Sequence, residues 1–139
     1  MRILGLDLGT RTCGVAMSDP SAFLASPLVT LRFADQEYQE ALAQVVELAK
    51  EHQVQIICLG YPKHMNNSVG EGAARSERFQ EQLVAQGFEV VLIDERLSTR
   101  QAQASMIASK TSKKKRKTDI DQAAAVVILQ TYLDQRRSV

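Results

Sequence analysis

Acidic residues at the ends of apolar runs are the residues of this sequence best placed to do chemistry. In Leu4-Gly5-Leu6-Asp7-Leu8-Gly9-Thr10, Asp7 interrupts a strand-like apolar pattern just ahead of a Gly-Thr-Arg turn. A carboxylate held in such a run costs on the order of several kcal/mol unless a cation or donors face it. Glu95 directly follows the apolar run Val90-Val91-Leu92-Ile93, at the carboxyl end of a strand, where open α/β sheets keep their sites. Asp94 competes for that place. Neighbouring strand residues point to opposite faces, so one of the two faces the site, and the choice between them stays open. At about 100° per residue Asp121 aligns with Ala124, Ala125, Ile128, Leu129 and Tyr132 and so faces inward, whereas Asp119 falls beside Gln130 and Asp134. Thr118 and Asp121 also have the spacing of a capping pair, which is compatible with a ligand role.

Three carboxylates in a chain with no His or Cys cluster favour a hard cation, Mg²⁺ or Mn²⁺, over zinc. Two such ions about 4 Å apart would activate water and stabilise the leaving oxygen of an in-line phosphodiester hydrolysis. The charge distribution fits a polyanionic substrate. The net charge is only +1, yet the segment from Arg96 to Lys117 holds eight Lys or Arg and no acid, six of them between Lys110 and Lys117. Such a run repels itself and is expected to form a solvated, non-helical loop before Asp119, mobile until nucleic acid orders it. The candidates for phosphate contact are Lys113, Lys114, Lys115, Arg116 and Lys117, with Arg11, Lys63 and Arg96 beside the acids. Neither histidine is needed: His52 ends a helix pattern, and His64 lies in a polar loop where it could touch substrate.

The elements that must position these groups alternate. Ile3–Leu8 and Cys13–Ser18 read as a tight hairpin, and Ala22–Leu31 as a third strand, with Pro27 at an edge or irregular position. Asp35 can cap a helix whose apolar positions Tyr38, Ala41, Leu42, Val45, Val46 and Ala49 follow helical spacing. Val54–Gly60 is an almost wholly apolar run, the mark of a strand covered on both faces, and is expected at the sheet's centre. A helix over about 72–86 follows, with Ser76, Phe79, Leu83 and Val84 inward and Gly87 as its stop. Next come a strand over 88–94 and a short helix to about Ser109, opened by a Ser98/Gln101 capping box. The last helix runs from Asp119 to Arg136. This order predicts a single α/β domain over residues 1–139, with a mixed sheet carrying a two- or three-strand antiparallel edge.

Apolar runs shorter than the roughly 18–20 residues of a membrane span, and an N-terminus without signal-peptide layout, predict a cytoplasmic protein with no membrane partner. Cys13 and Cys58, set within apolar runs without Cys-x-x-Cys spacing, read as buried thiols of a reducing compartment.

Four motifs in order resemble the YqgF, or RuvX, family: Gly5-Leu6-Asp7-Leu8-Gly9-Thr10-Arg11 with Gly14-Val15-Ala16-x-Ser18-Asp19; Leu59-Gly60-Tyr61-Pro62-Lys63-x-Met65-Asn66; Asp94-Glu95-Arg96-Leu97-Ser98-Thr99; and Asp121-x-x-Ala124-Ala125-x-x-Ile128-Leu129. The resemblance covers nearly the whole chain. It implies a ribonuclease H-like fold, with a five-stranded mixed sheet flanked by helices, and metal-binding catalytic carboxylates at Asp7, Glu95 and Asp121. The implied activity is a metal-dependent nuclease, maturing the 5′ end of pre-16S ribosomal RNA or resolving Holliday junctions, as a monomer or homodimer. A departure stands at Asn67, where the family's loop usually has glycine; Asn tolerates a left-handed backbone better than most residues. Asp7-Leu8-Gly9-Thr10 also resembles the phosphate loop of actin-like ATPases and sugar kinases, but those close two domains around a nucleotide and 139 residues supply one. A non-catalytic nucleic-acid-binding role in transcription is the alternative from another class, and metal-dependent cleavage separates it from a nuclease.

Overall fold

The computed structural model describes residues 1–62, 70–94 and 113–137, with the side chains of residues 71, 113–121 and 137 outside that description. Five strands, β1 (Ile3–Leu8), β2 (Thr12–Ser18), β3 (Ala25–Arg32), β4 (Ile56–Tyr61) and β5 (Glu89–Asp94), form one sheet in the order β3-β2-β1-β4-β5. β1, β2 and β3 pair antiparallel, while β4 and β5 run parallel to β1. The expected mixed sheet with a three-strand antiparallel edge is therefore present. Its centre is β1, not β4: β1 takes its hairpin partner β2 on one side and β4 on the other. β4 does have covered faces, since Ile57, Cys58 and Leu59 are wholly buried.

Helices α1 (Tyr38–Glu51) and α2 (Glu71–Ala85) cover one face of the sheet; α3 (Lys113–Arg137) covers the other. Strand alternation feeds the two cores. Leu4, Leu6 and Leu8 of β1 pack with Ala41, Leu42, Val45, Phe79 and Leu83 of α1 and α2. Ile3 packs instead with Cys58, Ile93, Ala125, Ile128, Leu129 and Leu133. In α2 Ser76, Phe79 and Leu83 are buried as expected, but Val84 is half-exposed because it lies one residue, about 100°, beyond Leu83. Gly87 ends the connection to β5 in the left-handed region, at φ +100°.

Four local expectations are corrected. β3 starts at Ala25 rather than Ala22, because Asp19 accepts hydrogen bonds from the Phe23 and Leu24 amides and closes residues 19–24 into a turn, with Ala22 at φ +60°. Asp35 does not cap α1: the N-cap is Glu37, which makes no side-chain capping bond, and Asp35 pairs with Arg11 at 3.4 Å. The basic run is not a loop over its whole length, since α3 begins at Lys113 and takes in Lys113–Lys117. Lys and Arg are good helix formers, and extending a formed helix adds one hydrogen bond per residue, against a like-charge cost of about 0.2–0.5 kcal/mol per neighbouring pair. Thr118 is then inside a helix, which removes the capping-pair reading, since an N-cap residue has a non-helical backbone. The short helix expected over 98–109 lies outside the described residues.

Candidate active site

Asp7 sits near the carboxyl end of the central strand, half-buried. Alternation puts it on the face of Ile3 and Gly5, which is the face α3 covers. Its surroundings there are shaped by small residues. Gly14 of β2 is its register partner, and beyond Gly14 stands Thr30 of β3. Gln122 of α3 donates to the Thr30 hydroxyl at 3.0 Å, which fixes the helix over this row of the sheet.

Gly5 sets the depth of that contact. A Cβ there would lie 2.7 Å from the Leu129 Cβ and 2.8 Å from the Ala125 carbonyl oxygen, so only glycine lets α3 come this close to β1. Two residues along β1 from Gly5 is Asp7, a rise of about 6.6 Å; one turn back along α3 from Ala125 is Asp121, a rise of about 6 Å. Because Gln122 reaches Thr30, in the row of Asp7, while Gln130 accepts from the Ala25 amide at the other end of β3, the helix runs opposite to β3 and so to β1. The backbone of Asp121 therefore stands level with Asp7, beside Gln122.

The choice between Asp94 and Glu95 narrows by the same alternation. Val91 and Ile93 of β5 pack on the α3 face, Val90 and Leu92 on the other, so Asp94 belongs to the face opposite Asp7. Glu95 itself lies outside the described residues, as do Lys63 and Arg96, together with His64. Lys113, Lys114, Lys115, Arg116 and Lys117 occupy the opening turns of α3, the end of the helix that carries Asp121. Arg11 is exposed in the β1–β2 turn and paired with Asp35.

Asp7 is thus a half-buried acceptor that no donor or cation meets among the described residues, and hard oxygen donors of this kind suit a divalent metal. Among the same residues no three metal-ligating side chains come together. Burial pushes the Cys58 thiol up to about 12 against the pull of Arg136 and keeps it protonated. Both cysteines are buried and neither is in a disulfide. The Gln122–Thr30 bond had no signal in residue type alone; it follows from register.

Comparison with known proteins bears on what such a site is for. The family model described as "RuvX: Holliday junction resolvase" matches residues 1–135. A Geobacillus sp. (strain WCH70) protein named "Putative pre-16S rRNA nuclease" is 44% identical over 138 residues, covering 99% of this chain and 100% of its own length. A Bacillus subtilis (strain 168) protein of the same name is 45% identical over 135 residues, with 96% and 98% covered. Among solved structures, T. thermophilus RuvC in complex with Holliday junction substrate superposes with a TM-score of 0.67 at 14% identity, covering 100% of this chain and 97% of that one; at that identity the likeness speaks to the fold.

Proposed function

The chain belongs to the RuvX family, and from that membership we propose that it is a metal-dependent endonuclease that processes the 5′ end of pre-16S ribosomal RNA. Hydrolysis of phosphodiester bonds is the chemistry that the family's description and these relatives' names point to. The observation that carries the catalytic assignment is the level placement of Asp7 and the α3 backbone at Asp121 on one face of the sheet, with the Asp7 carboxylate lacking any partner among the described residues. In this reading Asp7, Glu95 and Asp121 hold Mg²⁺ or Mn²⁺. The metal, when bound, would lower the pKa of a water and neutralise charge on the leaving oxygen. The residues themselves fix the ligands on a strand and a helix that packing keeps in register. Arg11, Lys63, Arg96 and Lys113, Lys114, Lys115, Arg116 and Lys117 would contact substrate phosphates. The cytoplasm is the compartment this reading implies, and two buried cysteines outside any disulfide suit it.

A second reading, Holliday junction resolution, is favoured by the family's own description. Processing one RNA end needs one active site, whereas symmetric junction cleavage needs two related by a dimer axis. One experiment separates the readings: the purified protein is incubated with Mg²⁺ or Mn²⁺ and either a precursor rRNA 5′-end model or a four-way DNA junction, with a no-metal control. Metal-dependent cleavage of the RNA supports the first, and paired symmetric nicks in the junction support the second. Binding without cleavage under every metal condition would replace both with a non-catalytic role.

A further inference from the structure

On the face of the sheet opposite α3, the first turn of α1 and the middle of α2 enclose an open cleft of about 220 Å³. Arg75 and Arg78 of α2 line one wall, with Gln82 one turn further along the same stripe; Gln36 and Gln39 line the other. Arg75 is braced in place. Its Nε donates to the Tyr38 hydroxyl at 2.8 Å, and its guanidinium carbon lies 5.7 Å from the centre of the Tyr38 ring. Neither Arg75 nor Arg78 meets a carboxylate among the described residues; Glu37 lines the cleft but stands beyond ion-pair distance of both, leaving the lining net positive. Two guanidiniums facing uncharged amides, with several N–H donors unused, are suited to phosphate oxygens. The volume is below the roughly 300–1,000 Å³ of small-molecule sites, so it fits a phosphate or sugar–phosphate unit better than a whole cofactor. The Tyr38 ring is already engaged by Arg75, which leaves no free aromatic platform for a base.

The cleft opens at the same end of the sheet as Asp7. Gln36, in its wall, donates its amide to the Thr10 carbonyl at 2.8 Å, and the Phe33 amide donates to Arg11 at 3.0 Å, so the β1–β2 turn joins cleft and site directly. Thr10 is three residues, at most about 10 Å of chain, from Asp7. We propose that Arg75 and Arg78, with the amides of Gln36, Gln39 and Gln82, form a second binding surface for the sugar–phosphate backbone of the nucleic-acid substrate, flanking the point of cleavage and reached by way of Arg11. The proposal rests on the nuclease reading above and adds a contact on the side of the sheet away from α3.

The test is the salt dependence of RNA affinity, measured by fluorescence anisotropy without divalent metal on the precursor 5′-end model. Each phosphate contact removed lowers the slope of log K against log salt by about 0.7–0.9, equivalent to about a five- to eightfold loss of affinity at 0.1 M salt. Arg78→Gln should show one such step, and Arg75→Gln with Arg78→Gln two. Because Arg75 also braces Tyr38, Arg78 alone is the cleaner variant, and Arg78→Lys, which keeps the charge, should restore most of the slope. Shortening the RNA so that it ends before the cleft should lower the slope of the unaltered protein by the same amount. A slope unchanged in both variants overturns the proposal. So does inorganic phosphate at millimolar concentration protecting the cleft while RNA affinity ignores both arginines, which would make it a small-anion site. Failure of the unaltered protein to bind any nucleic acid would instead bring down the nuclease reading, and this surface with it.

Discussion

Asp7→Asn tests the site at its smallest scale. The amide matches the carboxylate in size but lacks the charge that balances a divalent ion, so the fold should persist while cleavage falls by a factor of about 10² or more. Circular dichroism and a cleavage time course together check it, and full activity would remove Asp7 from the site. Gly5→Ala should behave in the opposite way. Its Cβ would meet the Ala125 carbonyl and Leu129 Cβ, backbone and root atoms that cannot swing aside, so overpacking should cost about 1–3 kcal/mol in a denaturant titration and push α3 off the sheet. Loss of cleavage would accompany it although Gly5 touches no substrate. Asp19 offers a pH test. Hydrogen bonds from Ser21, then from the Leu24 and Phe23 amides, hold its carboxyl well below the usual carboxylate range. A depressed folded-state pKa contributes order that is fully present above the ordinary aspartate value of about 3.9 and is lost as pH falls further towards the folded value. The Phe23 and Leu24 amides should therefore stay protected from hydrogen exchange at neutral pH and lose protection only below about pH 4; protection unchanged at pH 2 would contradict the assignment.

Among the elements, α3 is where residue types and tertiary structure part company. Its buried face was legible, because Ala124, Ala125, Ile128 and Leu129 repeat at helical spacing and all four are buried. Its start was not. A run of like charges reads as a solvated loop, yet each lysine is also a competent helix former, and the balance is decided by the helix already nucleated downstream on the sheet. The same holds for Asp35: a good capping residue by type, it is drawn to Arg11 across the β1–β2 turn, a pairing 24 positions apart that no local pattern carries. The helical start changes how the basic run should be tested. Replacing Lys113, Lys114, Lys115, Arg116 and Lys117 with Ser would weaken the helix as well as remove charge, so Gln is the better substitute. Five Gln replacements should flatten the salt dependence of nucleic-acid binding by about 0.7–0.9 per contact while leaving helix content unchanged by circular dichroism. An unchanged slope would withdraw the run from the substrate path.

For the molecule as a whole, the mixed sheet could be read from one hairpin followed by alternating helices and strands, but not its centre. β4 is the most uniformly apolar run, which reads as most central; β1 carries a glycine and an acid, yet takes partners on both edges and both faces. The glycine that admits α3 and the proposed metal ligand are what disguise it. One consequence follows from α3 being encoded after all five strands while covering the β1–β2–β3 side of the sheet. During synthesis the strands and the α1–α2 layer leave the ribosome first, with Ile3, Ala16, Cys58 and Ile93 still bare on the other side. A chain stalled before residue 121 should bind a hydrophobic dye and lack one of its three proposed metal ligands, so it should cut nothing. The late helix then acts as an interlock in time: in the proposed reading, cleavage cannot begin until α3 has been made and has docked on a sheet that is already complete.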